Sequence, residues 1–210
     1  MDTDLRSGAI ATGWLGAAYT LGFNFSVQSF NTPFVNFLGN ADVINTSWSG
    51  GDPTGTNVFA VALDGLANTF PGTTYITAAG NSGPSANTAR WPGSGYNAIT
   101  VGALQNNGGN IYDSIATFSS RGPQDYADPV NGTIAGVRAA VDIAAPGMDL
   151  TTAYYGGQTG GNNASLTGSP SGPSGSPDSY SDSLSGSSIA SPSRREARRS
   201  SPAGATIRRL

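Results

Sequence analysis

The segment Ser185-Gly186-Ser187-Ser188-Ile189-Ala190-Ser191-Pro192 contains a Gly-x-Ser pattern, which can present a serine nucleophile on a tight turn. Twelve Ser lie between positions 169 and 193, so the same pattern also arises by chance. Ala78-Ala79-Gly80-Asn81-Ser82-Gly83 sets a carboxamide on a Gly-flanked turn. Such a group can aim an N–H at developing negative charge, although an Asn-Gly-type turn accounts for the same residues. Thr117-Phe118-Ser119-Ser120-Arg121-Gly122-Pro123 and Asp142-Ile143-Ala144-Ala145-Pro146-Gly147 read as strand-to-turn transitions without chemistry of their own.

Composition narrows what these groups could do. The chain has no Cys, His or Lys. Disulfides, thiolate nucleophiles and Cys-based zinc sites are therefore excluded. So are an imidazole base within this chain, Schiff-base chemistry and a phosphate-binding P-loop. What remains is carboxylate, hydroxyl, amide and Arg chemistry. No run of 18 or more apolar residues occurs, so no membrane-spanning helix and no membrane partner are expected. Met1–Arg6 carries Asp2 and Asp4 against one Arg, poor flanks for a signal peptide.

The elements that must position these residues follow from local patterning. Ala41–Trp48 reads as a largely buried strand ended by Ser49-Gly50-Gly51-Asp52-Pro53. Val58, Val61, Ala62, Leu66 and Phe70 recur at helical spacing, with Phe59 and Leu63 widening the stripe, and predict a helix over about Thr56–Thr69. Thr73–Ala79 and Asn97–Ala103 read as β-branched strands, and Ile115–Ser119 and Ala139–Ala144 as shorter ones. Strand, helix, strand in this order predicts a βαβ unit and a parallel sheet. Between Tyr155 and Ser187 the composition falls to Gly, Ser, Asn, Pro and Asp. That segment is expected to be a long polar loop or disordered.

Taken together and in order, the blocks resemble the second half of a subtilisin-like serine protease domain, over about residues 41–192. Ile44-Asn45-Thr46-Ser47-Trp48-Ser49-Gly50, Ala78–Asn81, Val101-Gly102-Ala103, Phe118–Pro123 and Ala145-Pro146-Gly147 are similar to the family's motifs. Gly186–Pro192 resembles its nucleophile motif, with Ser for Thr at 187 and Ile for Met at 189. The resemblance implies an incomplete α/β fold, a parallel sheet flanked by helices. It implies Ser188 as nucleophile and Asn81 as side-chain donor of an oxyanion hole. Ser47, Trp48 and Ser49 would pair with the substrate backbone, and Ala78, Ala79 and Gly80 would wall the pocket for the residue before the scissile bond. A polypeptide substrate and an extracellular or periplasmic setting are implied too. No cofactor is called for; calcium enters by resemblance alone, since the spacing of Asp178 and Asp182 supports no metal site.

Two departures stand out. Residues 1–40 are poorly matched, and only Asp2 and Asp4 precede Ala41 as carboxylates. Ser attack needs an imidazole base and an Asp to orient it, so this chain alone is expected to be inactive. Residues 193–210 carry six Arg and Glu196, a balance of +5, against four Arg and twelve Asp before them. Six Arg cannot line the buried helix expected behind the nucleophile. G+C-rich codons for Arg194–Ser201 permit another frame reading Ala-Gly-Gly-Ala-Ala-Leu-Leu-Ala, so a frameshifted tail is one expectation. A basic arm for nucleic acid is the disfavoured one. The competing reading of the whole chain is a non-enzymatic Gly/Asn/Ser-rich surface module, which predicts a repeat period; none is found. Lacking strands and a covering helix, the chain is expected to be marginally stable.

Overall fold

The computed structural model of the 210-residue chain describes residues 13–15, 18–20, 26–37, 41–153 and 180–197. β1 (Gly13–Leu15) and β2 (Ala18–Thr20) pair antiparallel. α1 (Val27–Phe37) was not foreseen from its sequence. Its start is a reciprocal cap, with Ser29 N donating to Ser26 Oγ and Ser26 N donating to Ser29 Oγ, which satisfies N–H groups a helix leaves unpaired.

β3 (Val43–Thr46) runs into the short β4 (Gly50–Gly51), then α2 (Val58–Thr69), β5 (Thr74–Ala78), β6 (Arg90–Trp91) and β7 (Ile99–Gln105). β8 (Ser114–Ile115), β9 (Gln124–Asp128), β10 (Gly132–Arg138) and β11 (Ile143–Pro146) follow. β12 (Leu150–Ala153), β13 (Tyr180–Leu184) and α3 (Ser187–Ala197) complete the order. The main sheet runs β11-β7-β5-β3, all parallel, with β8 added antiparallel to β7. This is the expected α/β architecture with its β3–α2–β5 unit.

Alternation along the strands divides the core between two faces, as a period of two requires. Ile44 and Tyr75 pack with Phe30, Phe34, Leu63 and Leu66 of α1 and α2. Val43 and Ile76 pack with Val101, Ala103, Ala145 and Ala190 on the α3 side. Burial raises the Tyr75 phenol above its ordinary range.

Three expectations change. The buried face of α2 is Ala60, Leu63 and Leu66, whereas Val58 and Val61 are more than half exposed. The packed stripe centres on Phe59, Leu63, Leu66 and Phe70 because α1 lies on that side. The polar segment 155–187 ends in regular structure: β13 pairs antiparallel with β12, and α3 begins at Ser187. Backbone pairing with a neighbouring strand supplies there what local composition does not. A helix also does stand behind the sheet, packing across β7, β11, β5 and β3. It seats through Ser187, Ala190 and Ser191, all buried and all before the basic residues. Its backbone continues through Arg194 and Arg195 to Ala197; positions 198–210, and positions 154–179 where a long polar loop is expected, lie outside the described residues.

A further element escaped the sequence reading. β9 and β10 form an antiparallel hairpin between the Phe118–Pro123 and Ala145–Gly147 blocks. Its turn is fixed by Asp128, whose Oδ1 accepts from Val130 N at 2.8 Å and Asn131 N at 2.7 Å. Those two bonds hold the Asp128 carboxyl below its ordinary range.

Candidate active site

The carboxyl ends of parallel strands are where open α/β sheets gather functional groups, and the sequence blocks converge there. Asn81 follows β5, Ser188 lies in the first turn of α3, and Ser187 joins them. Asn81 Oδ1 accepts from both Ser187 N and Ser187 Oγ at 2.9 Å. Gly80 N donates to Ser187 Oγ at 3.1 Å. With its oxygen committed to Ser187, the carboxamide has only its NH₂ donors left to offer. A Cβ built on Gly186 would lie 3.0 Å from Ser188 Oγ and 3.5 Å from Asn81 Nδ2. The hydroxyl and the amide donor therefore lie beside the same glycine, close to one another. Ser188 is half-buried, Asn81 exposed and Gly186 buried. The first-turn N–H of Ser188 is among those that a helix leaves without an internal partner.

The remaining blocks hold this arrangement. Gly186 N donates to Gly147 O at 2.7 Å. Gly147 itself lies so close to the sheet and α3 that a Cβ there would reach Ala103 Cβ at 2.6 Å and Ala190 Cβ at 3.1 Å. Ser120 N donates to Gly80 O at 3.0 Å, Gly83 N donates to Phe118 O at 2.8 Å, and Ser82 N donates to Ser120 Oγ at 3.1 Å. Ser119 Oγ accepts from Ala103 N at 2.9 Å. The Ser-Ser pair thus braces the turn that carries Asn81.

Pro192 lies inside α3 and has no N–H for the carbonyl one turn back, which is that of Ser188. Ser47 fills the gap: its Oγ donates to Ser188 O at 2.9 Å. With its only proton used, Ser47 Oγ accepts from Asn45 Nδ2 at 2.9 Å and from Ser191 Oγ at 3.1 Å. The Ser47 side chain is thus turned to the helix, and its backbone is what it offers to a strand-like ligand. Trp48 packs edge-on against Phe30 and Trp91, with ring centroids 5.1 Å and 5.6 Å apart. Ser49 is exposed. Across from this segment, Ala78, Ala79 and Gly80 are buried. Ser187, Ser191, Ser120, Gly147 and Pro192 were not singled out as site residues from sequence, although each lies inside a recognised block.

The subtilase family profile (Peptidase_S8) matches residues 27–193. The chain belongs to the subtilase family. Serine protease AprX of Bacillus subtilis (strain 168) is 40% identical over 81 residues, which is 38% of this chain and 16% of that protein. A subtilisin of Bacillus sp. (strain TA39) is 38% identical over 86 residues, 41% of this chain and 20% of its own length. This subtilase chain therefore spans a fifth or less of those relatives. The solved structure of Sphericase aligns with a TM-score of 0.52 at 23% identity, covering 81% of this chain and 46% of that one. That likeness shows the fold.

No imidazole exists in this subtilase chain, and no carboxylate is bonded to Ser188 among the described residues. For calcium, the described residues contain no group of three or more side chains able to hold a metal. Asp178 lies outside them, so no step is assigned to a metal.

Proposed function

We propose that this subtilase chain carries the nucleophile and oxyanion half of a serine endopeptidase. A peptide would lie as an added strand along the Ser47–Ser49 backbone, with the residue before the scissile bond beside Ala78–Gly80. Ser188 Oγ would attack the carbonyl carbon, and the oxygen would take up negative charge facing Asn81 Nδ2 and the Ser188 N–H. Removing one such donor costs about 10²–10³ in turnover. What supports the reading above all is that Ser188 Oγ and Asn81 Nδ2 lie beside the same glycine, Gly186.

Attack also requires a group to take the hydroxyl proton, and the chain has no His. We therefore propose that it does not hydrolyse peptides at a useful rate alone, since losing the base costs about 10⁶ in subtilisin. The protein would act on polypeptides outside the cytoplasm, as its resemblance implies.

The test separates site from turnover. A peptide boronate should form a tetrahedral adduct on the full chain, seen by boron NMR, and Ser188→Ala should abolish it. Boron that stays trigonal in both proteins would sink the site. Casein incubated with the chain should be cleaved no faster than with Ser188→Ala; Ser188-dependent cleavage would overturn the inactivity.

A further inference from the structure

β6 joins the two walls of the proposed cleft. Arg90 N donates to Ala79 O at 3.1 Å on one wall, and Arg90 pairs with Gly51, just past Ser47–Ser49, on the other. Its side chain then crosses Gly80: a Cβ on Gly80 would meet Arg90 Cδ at 2.5 Å and Cγ at 2.7 Å. Gly80 has φ +105°, so both its backbone and the Arg90 stem require glycine there. The guanidinium reaches Ser82, with Nη1 donating to Ser82 Oγ. Nε is buried without an acceptor, and no carboxylate partners the group among the described residues. Arg138 is different: it donates to Ser94 O, Gly95 O and Gln124 Oε1 and lies 3.8 Å over the Tyr96 ring. Arg138 makes three hydrogen bonds within the fold and lies over a ring, whereas Arg90 is a half-buried cation whose guanidinium makes one. Such a group favours an incoming anion, and a guanidinium matches a carboxylate in geometry as well as charge.

We propose that Arg90 forms the closed end of the pocket for the residue before the scissile bond, and that it selects Asp or Glu there. This rests on the peptidase reading above. A carboxylate from the substrate meets the Nη donors that no described residue fills and neutralises the charge, while the neutral isostere supplies one acceptor and no charge; Nε, enclosed by the fold, takes no part.

Binding tests this without turnover. Two product-type peptides, identical except for a C-terminal Glu or Gln, are titrated into the full chain by calorimetry and by Trp fluorescence. The Glu peptide should bind about tenfold or more tightly, as expected for a charged hydrogen bond. The advantage should shrink with added salt and fall to near one in Arg90→Gln. Equal binding of both peptides to the unaltered chain overturns the role of Arg90 and leaves the peptidase reading standing. A Glu preference that survives Arg90→Gln, with the variant's circular dichroism unchanged, also overturns it. Failure of both peptides to bind removes the cleft itself, and this proposal with it.

Discussion

Ser47 holds the carbonyl that Pro192 leaves free, and this gives a coupled prediction. Ser47→Ala strips the half-buried Ser188 carbonyl of its donor and should cost roughly 0.5–1.5 kcal/mol, read from urea denaturation. Pro192→Ala restores an N–H one turn along from that carbonyl. In the Pro192→Ala background Ser47→Ala should therefore cost measurably less, a non-additive cycle. Additive costs would show that Ser47 and Pro192 act separately. Asp64 offers a second test at this scale. Burial lifts its carboxyl above the ordinary 3.8, opposed by N–H bonds from Asn97 and Tyr96 and by the Arg138 charge. The folded chain thus binds that proton more tightly than the unfolded one. Its contribution to stability is greatest below pH 3.8 and declines as pH rises through the folded value. Arg138→Ala removes a cation that pulls the other way, so the decline should move to higher pH. Asp64→Asn should flatten it, as followed by urea midpoints across acidic pH.

Among the elements, α2 is capped by Asn57, whose Oδ1 accepts from Phe59 N at 3.0 Å. Asn57→Ala should cost about 1 kcal/mol in urea denaturation, while Val58→Thr on the exposed face should cost little. These two positions also show what the sequence could and could not reveal. The limits of α2, β5 and β7 follow from periodicity and from turn residues, which are local properties. The side of α2 that is buried depends on α1, whose Phe30 and Phe34 cover Leu63 and Leu66, so Val58 and Val61 are left at the surface although their spacing suits a core. β13 depends in the same way on β12, and Gln124–Arg138 on long-range anchors such as Arg138. Ser188 and Asn81 were legible as parts of ordered blocks. Ser187 was not, because its role exists only once two segments 106 residues apart meet. Arg90 was silent for the same reason, since nothing local to Ala89-Arg90-Trp91 says that its stem will cross Gly80.

For the molecule as a whole, the sheet ends at β3 with no further strand beside it among the described residues. An unpaired edge of this kind is a template for another chain. The protein should self-associate with rising concentration in sedimentation velocity, and added urea should reverse this before the helical signal is lost. A monomer at all concentrations with one sharp urea transition would contradict both that and the expected marginal stability.

The bond from Ser187 to Asn81 also bears on how such a site could be completed. It is closed by groups of this chain alone, so the shape of the proposed nucleophile half depends on no proton acceptor. An imidazole carried on a separate polypeptide would meet a partner already in order and would need only to dock, as the halves of a split enzyme do.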